Sequence, residues 1–126
     1  MYKNYERQVG CMQVFISYSS NDVQIARKLV AQLRREDFIV MRDQEFLEGG
    51  QPFNAYLEQV LRASDALLLL TTAKSTSSEW VIEELNEARK QGKRIIPIIL
   101  EAGVEPPFGY CALQRIDMSD GDVHRA

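Results

Sequence analysis

The stretch Phe38-Ile39-Val40-Met41 consists of four apolar residues in succession, two of them β-branched. Such residues favour strands, and a strand without polar positions is typically buried on both faces, as in a parallel sheet. Further strands are predicted at residues 13–18, 66–71, 94–100 and 114–118. Pro97 cannot donate a ladder hydrogen bond, which predicts that the fourth strand is bulged or lies near an edge.

Apolar residues at helical spacing separate these strands. The first helix, predicted over residues 22–35, has its stripe on Val23, Ala26, Leu29, Val30 and Leu33. The second has its stripe on Phe53, Tyr56, Leu57, Val60 and Leu61. A third helix follows a Thr/Ser-rich loop at 71–78, and we expect Thr76 and Glu79 to start it as a capping box and Gly92 to end it. The alternation predicts an α/β fold, with a parallel sheet flanked by helices and joined by right-handed crossovers.

Length and composition predict one domain in a reducing, cytoplasmic setting. A chain of 126 residues, 45% of them hydrophobic, can bury a core without disulfides, and Cys11 and Cys111 form no CxxC pair. The net charge of −3 provides no basic surface, so we expect no direct nucleic-acid partner. Residues 1–10 have no apolar leader, and the longest apolar run, 66–70, is too short to cross a membrane. No membrane partner is therefore expected.

Sites in open parallel sheets lie at the carboxyl ends of the strands. In this chain that edge is predicted to comprise residues 17–21, 42–50, 71–78 and the start of the helix that follows. These segments are polar, and Gly49-Gly50 gives the second of them backbone freedom. We therefore expect the chemistry of the protein at this edge.

One carboxylate in the third helix stands out by its position. Val81, Leu85 and Ala88 form the apolar stripe, and Glu84 falls at its border, one turn after Trp80. An acid beside an indole, half out of water, has a protonation state that the fold can control. The alternative is an ordinary boundary glutamate on an amphipathic helix.

Several other chemistries lack the residues that they need. The turn at residues 17–22 contains no glycine for a phosphate cradle, and the only histidine, His124, leaves no partner for a serine nucleophile or a metal cluster. A phosphoacceptor receiver domain needs an aspartate after the third strand, where this chain has Thr71-Thr72. What remains is Glu84, which can bind sugar hydroxyls and stabilise an oxocarbenium-like transition state, so N-glycosidic cleavage is one possibility.

Four motifs follow one another over residues 12–118. The first is Phe15-Ile16-Ser17-Tyr18-Ser19 with Asp22, and the second is Arg42-Asp43 through Leu47-Glu48-Gly49-Gly50. The third is Trp80 with Glu84, and the fourth is Ile95-Ile96-Pro97-Ile98. In this order they resemble the first box, the BB loop, the W-x-x-x-E pattern and the fourth strand of the Toll/interleukin-1 receptor (TIR) domain family, especially of its bacterial members. The resemblance implies a five-stranded parallel sheet of flavodoxin-like order, with the family's last helix missing from this chain. It places the domain at 12–120, followed at 121–126 by a tail or linker to a missing C-terminal region. Residues 1–11 show no periodicity, which predicts a flexible arm.

In the enzyme branch of the family, TIR domains cleave the nicotinamide–ribose bond of NAD and leave ADP-ribose or a cyclic isomer. The resemblance then implies that Glu84 is catalytic, that NAD is the substrate, and that no metal or organic cofactor is needed. It places Tyr18, Ser19, Asp43, Leu47 and Trp80 at the substrate, and Glu48, Gly49 and Gly50 in the loop that governs assembly. Packing remains an alternative role for Trp80, and ending a strand and starting a helix remains one for Tyr18 and Ser19.

Self-assembly is the partner interaction that the resemblance implies. Bacterial NAD-cleaving members are often fused to a sensor domain in antiphage defence, where assembly switches on NAD depletion. In the scaffold branch, the domain serves TIR–TIR association in signalling without catalysis, or interferes with a host's TIR signalling. The glutamate after Trp80, and a BB loop that lacks the proline-glycine step of animal signalling members, favour the enzyme branch.

Overall fold

The computed structural model describes residues 12–42, 53–106 and 116–119. For Arg42 and residues 53–56 it describes the backbone alone. Its strands are β1 Gln13–Ser17, β2 Ile39–Arg42, β3 Ala66–Thr71, β4 Arg94–Ile99 and β5 Ile116–Asp117. Its helices are α1 Val23–Arg35, α2 Phe53–Ala63, α3 Ala73–Thr76 and α4 Glu79–Lys90, and a 3₁₀ turn, Ser20–Asp22, precedes α1.

The five described strands form one parallel sheet in the order β2-β1-β3-β4-β5. This order is the flavodoxin-like one, so the predicted fold class is confirmed. The register aligns Ser17 with Leu69 and Thr71 with Ile99, which brings the carboxyl ends of β1, β3 and β4 to one edge.

Both faces of the sheet are buried, as its apolar strands predict. Alternate residues of each strand enter two hydrophobic clusters. The α1-side cluster contains Val14, Ile16, Leu68 and Leu70 together with the stripe of α1. The α4-side cluster contains Phe15, Leu67 and Leu69 with Leu57, Val60 and Leu61 of α2 and Val81, Leu85 and Ala88 of α4. The predicted core faces of α1 and α4 are confirmed, and so is the described part of the α2 face.

The start of α4 differs from the prediction. Its N-cap is Ser78, whose Oγ accepts a hydrogen bond from the Val81 amide at 3.3 Å. The capping box lies four residues earlier in the chain than predicted, between Thr72 and Ser75. It starts the short helix α3 within the segment predicted as a loop. The predicted box at Thr76 and Glu79 was therefore wrong.

The end of α4 and the position of Pro97 agree with the predictions. Gly92 has φ +70° two residues after the helix ends at Lys90, a backbone conformation that favours glycine. Pro97 pairs with Leu69 of β3, whereas β5 pairs only with Ile98 and Ile99. The strand is thus one place from the edge of the described sheet, and β5 pairs only with residues beyond the proline. Among the described helices, none combines the length and the hydrophobicity that a membrane span requires.

A cavity of about 590 Å³ lies on the α1 side of the sheet, away from the carboxyl edge. Its lining is largely apolar, including Val14, Leu29, Leu68 and Ile116, with charged groups from residues such as Glu36 and Arg94. Among the described helices, only α1 supplies residues to this lining. The predicted arm at 1–11, the loop at 43–52, the tail at 121–126 and the question of a last helix lie outside the described residues.

Candidate active site

The carboxyl edge of the sheet brings Ser17, at the end of β1, close to the first half of α4. Phe15 belongs to the α4-side cluster, and Ser17, two residues later on the strand, faces the same side. Helix α4 packs its Val81–Leu85 stripe on this face. Residues 67 positions apart in the chain thereby meet.

Glu84 is completely buried, with 0% of its surface exposed. The prediction that it lies half out of water was wrong. At 100° per residue, Glu84 projects only about 40° from Ala88, inside the angular range that a helix covers when it packs on a sheet. Helix α2 also packs against α4, where Gln91 Nε2 donates to the Glu58 carbonyl at 3.1 Å. A helix covered by both a sheet and a neighbouring helix buries a wider stripe than sequence periodicity indicates.

The two oxygens of Glu84 have different surroundings. The Ser17 hydroxyl donates a hydrogen bond of 2.6 Å to Oε1, and both residues are fully buried. This length is in the range of about 2.5–2.7 Å typical of a hydroxyl that donates to a charged oxygen. Oε2 is also buried, and no group among the described residues makes a hydrogen bond to it. Ser17 therefore holds one carboxyl oxygen of Glu84, and among the described residues the other oxygen keeps its full capacity to accept hydrogen bonds.

The hydroxyls of Thr72 and Ser75 at this edge bond to other groups of the protein. Thr72 Oγ1 donates to Asp22 Oδ2 at 2.7 Å and accepts from the Ser75 amide at 3.1 Å. Ser75 Oγ donates to the Thr72 carbonyl and accepts from the Thr72 amide, while Glu101 Oε1 accepts from the Ala73 amide at 2.8 Å. This network fixes the β3–α3 connection to the first turn before α1. Among the described residues, Ser17 is the one whose hydroxyl contacts Glu84.

Three of the predicted substrate-binding residues lie in the described part of the chain, and each has different surroundings. Trp80 is half-buried and lies one turn before Glu84 on α4. Ser19 is 5% exposed, and its hydroxyl accepts from the Asn21 amide at 3.2 Å, so it caps the 3₁₀ turn. Tyr18 is 2% exposed and packs in the α1-side cluster, on the opposite face of the sheet from Ser17. The structure therefore brings Trp80 towards Glu84 but does not bring the Tyr18 ring to it.

The remaining predicted site residues, Asp43, Leu47, Glu48, Gly49 and Gly50, lie outside the described residues. Their roles at the substrate and in assembly stay predictions.

Ser17 is the contact that sequence reasoning missed. Side chains alternate between the two faces of a strand, so Ser17 lies on the same face as Phe15, which packs against α2 and α4. The sequence could therefore have predicted the face of the sheet on which Ser17 lies. This alternation does not say which helix residue Ser17 meets, because that depends on how α4 is seated on the sheet.

A family model for the TIR domain matches residues 14–126, and the chain belongs to this family. The fold is similar to the TIR domain of the Toll-related receptor TRR-2 from Hydra magnipapillata, with a TM-score of 0.74 and 20% identity over 88% of this chain and 87% of that one. Identity at this level shows a shared fold.

Two further solved structures contain this fold within larger proteins. The metazoan TIR-STING receptor from C. gigas matches with a TM-score of 0.64 and 19% identity, over 87% of this chain and 38% of that one. The TIR domains of the activated Roq1 resistosome match with a TM-score of 0.59 and 20% identity, over 70% of this chain and 57% of that one.

Proposed function

We propose that this TIR domain is an NAD glycohydrolase that cleaves the bond between nicotinamide and ribose, with Glu84 as its catalytic residue. The observation that carries the proposal is the state of the Glu84 carboxyl group: it is fully buried, Oε1 is held by Ser17, and Oε2 lacks a described partner. Buried polar atoms are nearly always paired in native proteins, so an open oxygen at the carboxyl edge of the sheet favours a role in ligand binding.

Cleavage of the nicotinamide–ribose bond requires little from the protein other than one correctly positioned carboxylate. The bond from ribose C1′ to the positively charged nicotinamide nitrogen breaks with both electrons going to that nitrogen. Nicotinamide leaves as a neutral molecule, so no proton has to be donated to it. Positive charge develops at C1′ and the ring oxygen, and a negative carboxylate in a dry site stabilises that charge.

In this scheme Glu84 Oε2 accepts a hydrogen bond from a ribose hydroxyl and thereby orients the sugar. Water then adds to C1′ and loses a proton, which gives ADP-ribose. Addition of an adenine nitrogen of the same molecule gives a cyclic isomer instead. Trp80, half-buried one turn before Glu84, supplies an aromatic surface suited to packing against a flat ring.

The burial of Glu84 supports activation by self-assembly. Because Glu84 has no exposed surface, NAD reaches Oε2 only after neighbouring segments move. A second copy that binds the open form better than the closed form shifts the population towards activity. The TIR domains of the activated Roq1 resistosome share the fold of this chain. Control of assembly by a fused sensor domain, with NAD depletion as an antiphage response, is the biological setting that we propose.

The test is nicotinamide release from NAD by concentrated protein with a crowding agent, followed by chromatography. The native chain is compared with Glu84→Gln, which keeps the size of the side chain and removes its charge. Glu83→Gln is the matched control, because Glu83 is the adjacent, exposed glutamate of the same helix. We expect release by the native chain and the Glu83 variant and a loss of at least a hundredfold with Glu84→Gln. Equal release by all three proteins would refute the assignment of Glu84.

A non-catalytic scaffold for TIR–TIR association is the second candidate, and the complete burial of Glu84 is the observation that favours it. In that case Glu84 has only a structural role. Light scattering would then detect assembly of the native chain, and no nicotinamide would appear at any protein concentration.

A further inference from the structure

The hydrogen bond from Ser17 to Glu84 joins the last residue of β1 to the middle of α4. We propose that Ser17 is a positioning residue, which holds Oε1 of Glu84 so that Oε2 alone meets the substrate. This inference rests on the proposed NAD glycohydrolase function, and one of its tests does not depend on activity.

The position of Ser17 makes it a rigid support. Its backbone lies in the sheet, aligned with Leu69 of β3, and its side chain is 0% exposed. A serine side chain has one rotatable carbon–carbon bond, so its oxygen moves little once the strand is fixed. Glu84, by contrast, has three side-chain torsions, and a hydrogen bond to a fixed donor restricts all three.

The two carboxyl oxygens of Glu84 have different roles because they have different hydrogen-bond partners. A serine hydroxyl has one proton, and Ser17 donates it to Oε1. A carboxylate accepts on both oxygens, and the described residues leave Oε2 without a donor. The geometry therefore assigns Oε1 to the protein and Oε2 to the ribose hydroxyl.

Stability alone does not account for this pair. A buried carboxyl with an unsatisfied oxygen costs free energy that apolar residues of similar size avoid. Holding Oε1 in place has a clear benefit only if the direction of Oε2 matters.

Three substitutions separate the hydrogen bond from the space that the side chain fills. Ser17→Ala removes the donor, Ser17→Cys keeps the approximate shape with a weak donor, and Ser17→Thr keeps the hydroxyl. Ser64→Ala is the matched control, because Ser64 is 2% exposed and donates to the Val60 carbonyl at 2.8 Å without contacting the site. We expect kcat for nicotinamide release to fall about ten- to a hundredfold in the Ala and Cys variants, with KM changed much less. Ser17→Thr should recover most of kcat, and Ser64→Ala should leave it unchanged.

The activity-independent test follows the Glu84 carboxyl carbon by ¹³C NMR over a pH titration. A donor to the charged carboxylate favours ionisation, so removing it should raise the pKa of Glu84 in Ser17→Ala relative to the native chain. An unchanged midpoint would overturn the inference whether or not the protein cleaves NAD. Native release lost in Glu84→Gln but undiminished in Ser17→Ala and Ser17→Cys would overturn it while leaving the proposed function intact. Absence of release from the native chain would refute the proposed function and, with it, Ser17's positioning role.

Discussion

Replacing the buried polar pair by apolar residues should stabilise the fold while abolishing activity. The change is the double variant Ser17→Ala with Glu84→Met, which keeps roughly the volume of the larger side chain. The pair makes one hydrogen bond, worth about 1 kcal/mol net or somewhat more for a charged acceptor. Against this stand the burial of a carboxyl group and an oxygen without a described partner. Replacing buried ionic groups by apolar residues of similar volume is often neutral or stabilises a fold by about 1–4 kcal/mol.

Equilibrium urea unfolding, followed by far-UV circular dichroism, measures the effect on the free energy of unfolding. For a domain of this size each kcal/mol corresponds to about 4 °C in Tm, so a gain of about 1–4 kcal/mol predicts a rise of roughly 4–16 °C in a thermal melt. Ser17→Ala alone should lower the free energy of unfolding by about 1–3 kcal/mol, because it leaves Oε1 without its donor. A double variant that is less stable than the native chain, with an unchanged m-value, would show that the pair is a stabilising structural feature and would refute the reasoning.

Three further predictions concern the frame around the site. Thr72→Val should lower the free energy of unfolding by about 1–3 kcal/mol in a urea titration, because it removes both the cap of α3 and the bond to Asp22. The control Thr76→Ala, which loses a hydroxyl in the same helix, should lower it less. Leu85→Ala should cost about 2–5 kcal/mol by denaturant unfolding, because Leu85 is fully buried, and a cost below about 1 kcal/mol would contradict its place in the core. Gly92→Ala should lower Tm through the positive φ of +70° alone, since an added Cβ meets nothing within 4 Å, and Gly92→Asn should lose less.

The sheet could be predicted because each of its longer strands is a run of apolar residues in the sequence. The run from Ala66 to Leu70 is apolar at every position, and burial on both faces follows directly from that pattern. The stripe of Val81, Leu85 and Ala88 likewise predicted the buried face of α4. Strand order came from the family resemblance, since apolar patterns do not distinguish one neighbour from another.

The details of the edge could not be predicted from local sequence. The segment from Thr71 to Ser78 offers several residues able to cap a helix, and the bond from Thr72 to Asp22 is a long-range contact that local sequence does not show. The complete burial of Glu84 depends on the tertiary packing around α4, where β1 and α2 are neighbours, and helical periodicity does not contain that packing. The contact between Ser17 and Glu84 spans 67 residues and depends on the seating of a helix on a sheet.

The most direct test of the central claim is a real-time ¹H NMR measurement of NAD with the native chain and with Glu84→Gln, each at protein concentrations where light scattering shows assembly. The account predicts that nicotinamide signals grow with the native chain, that NAD signals decline to match, and that neither changes with the variant. Nicotinamide formed at the same rate by both assembled proteins, or by neither, would contradict it.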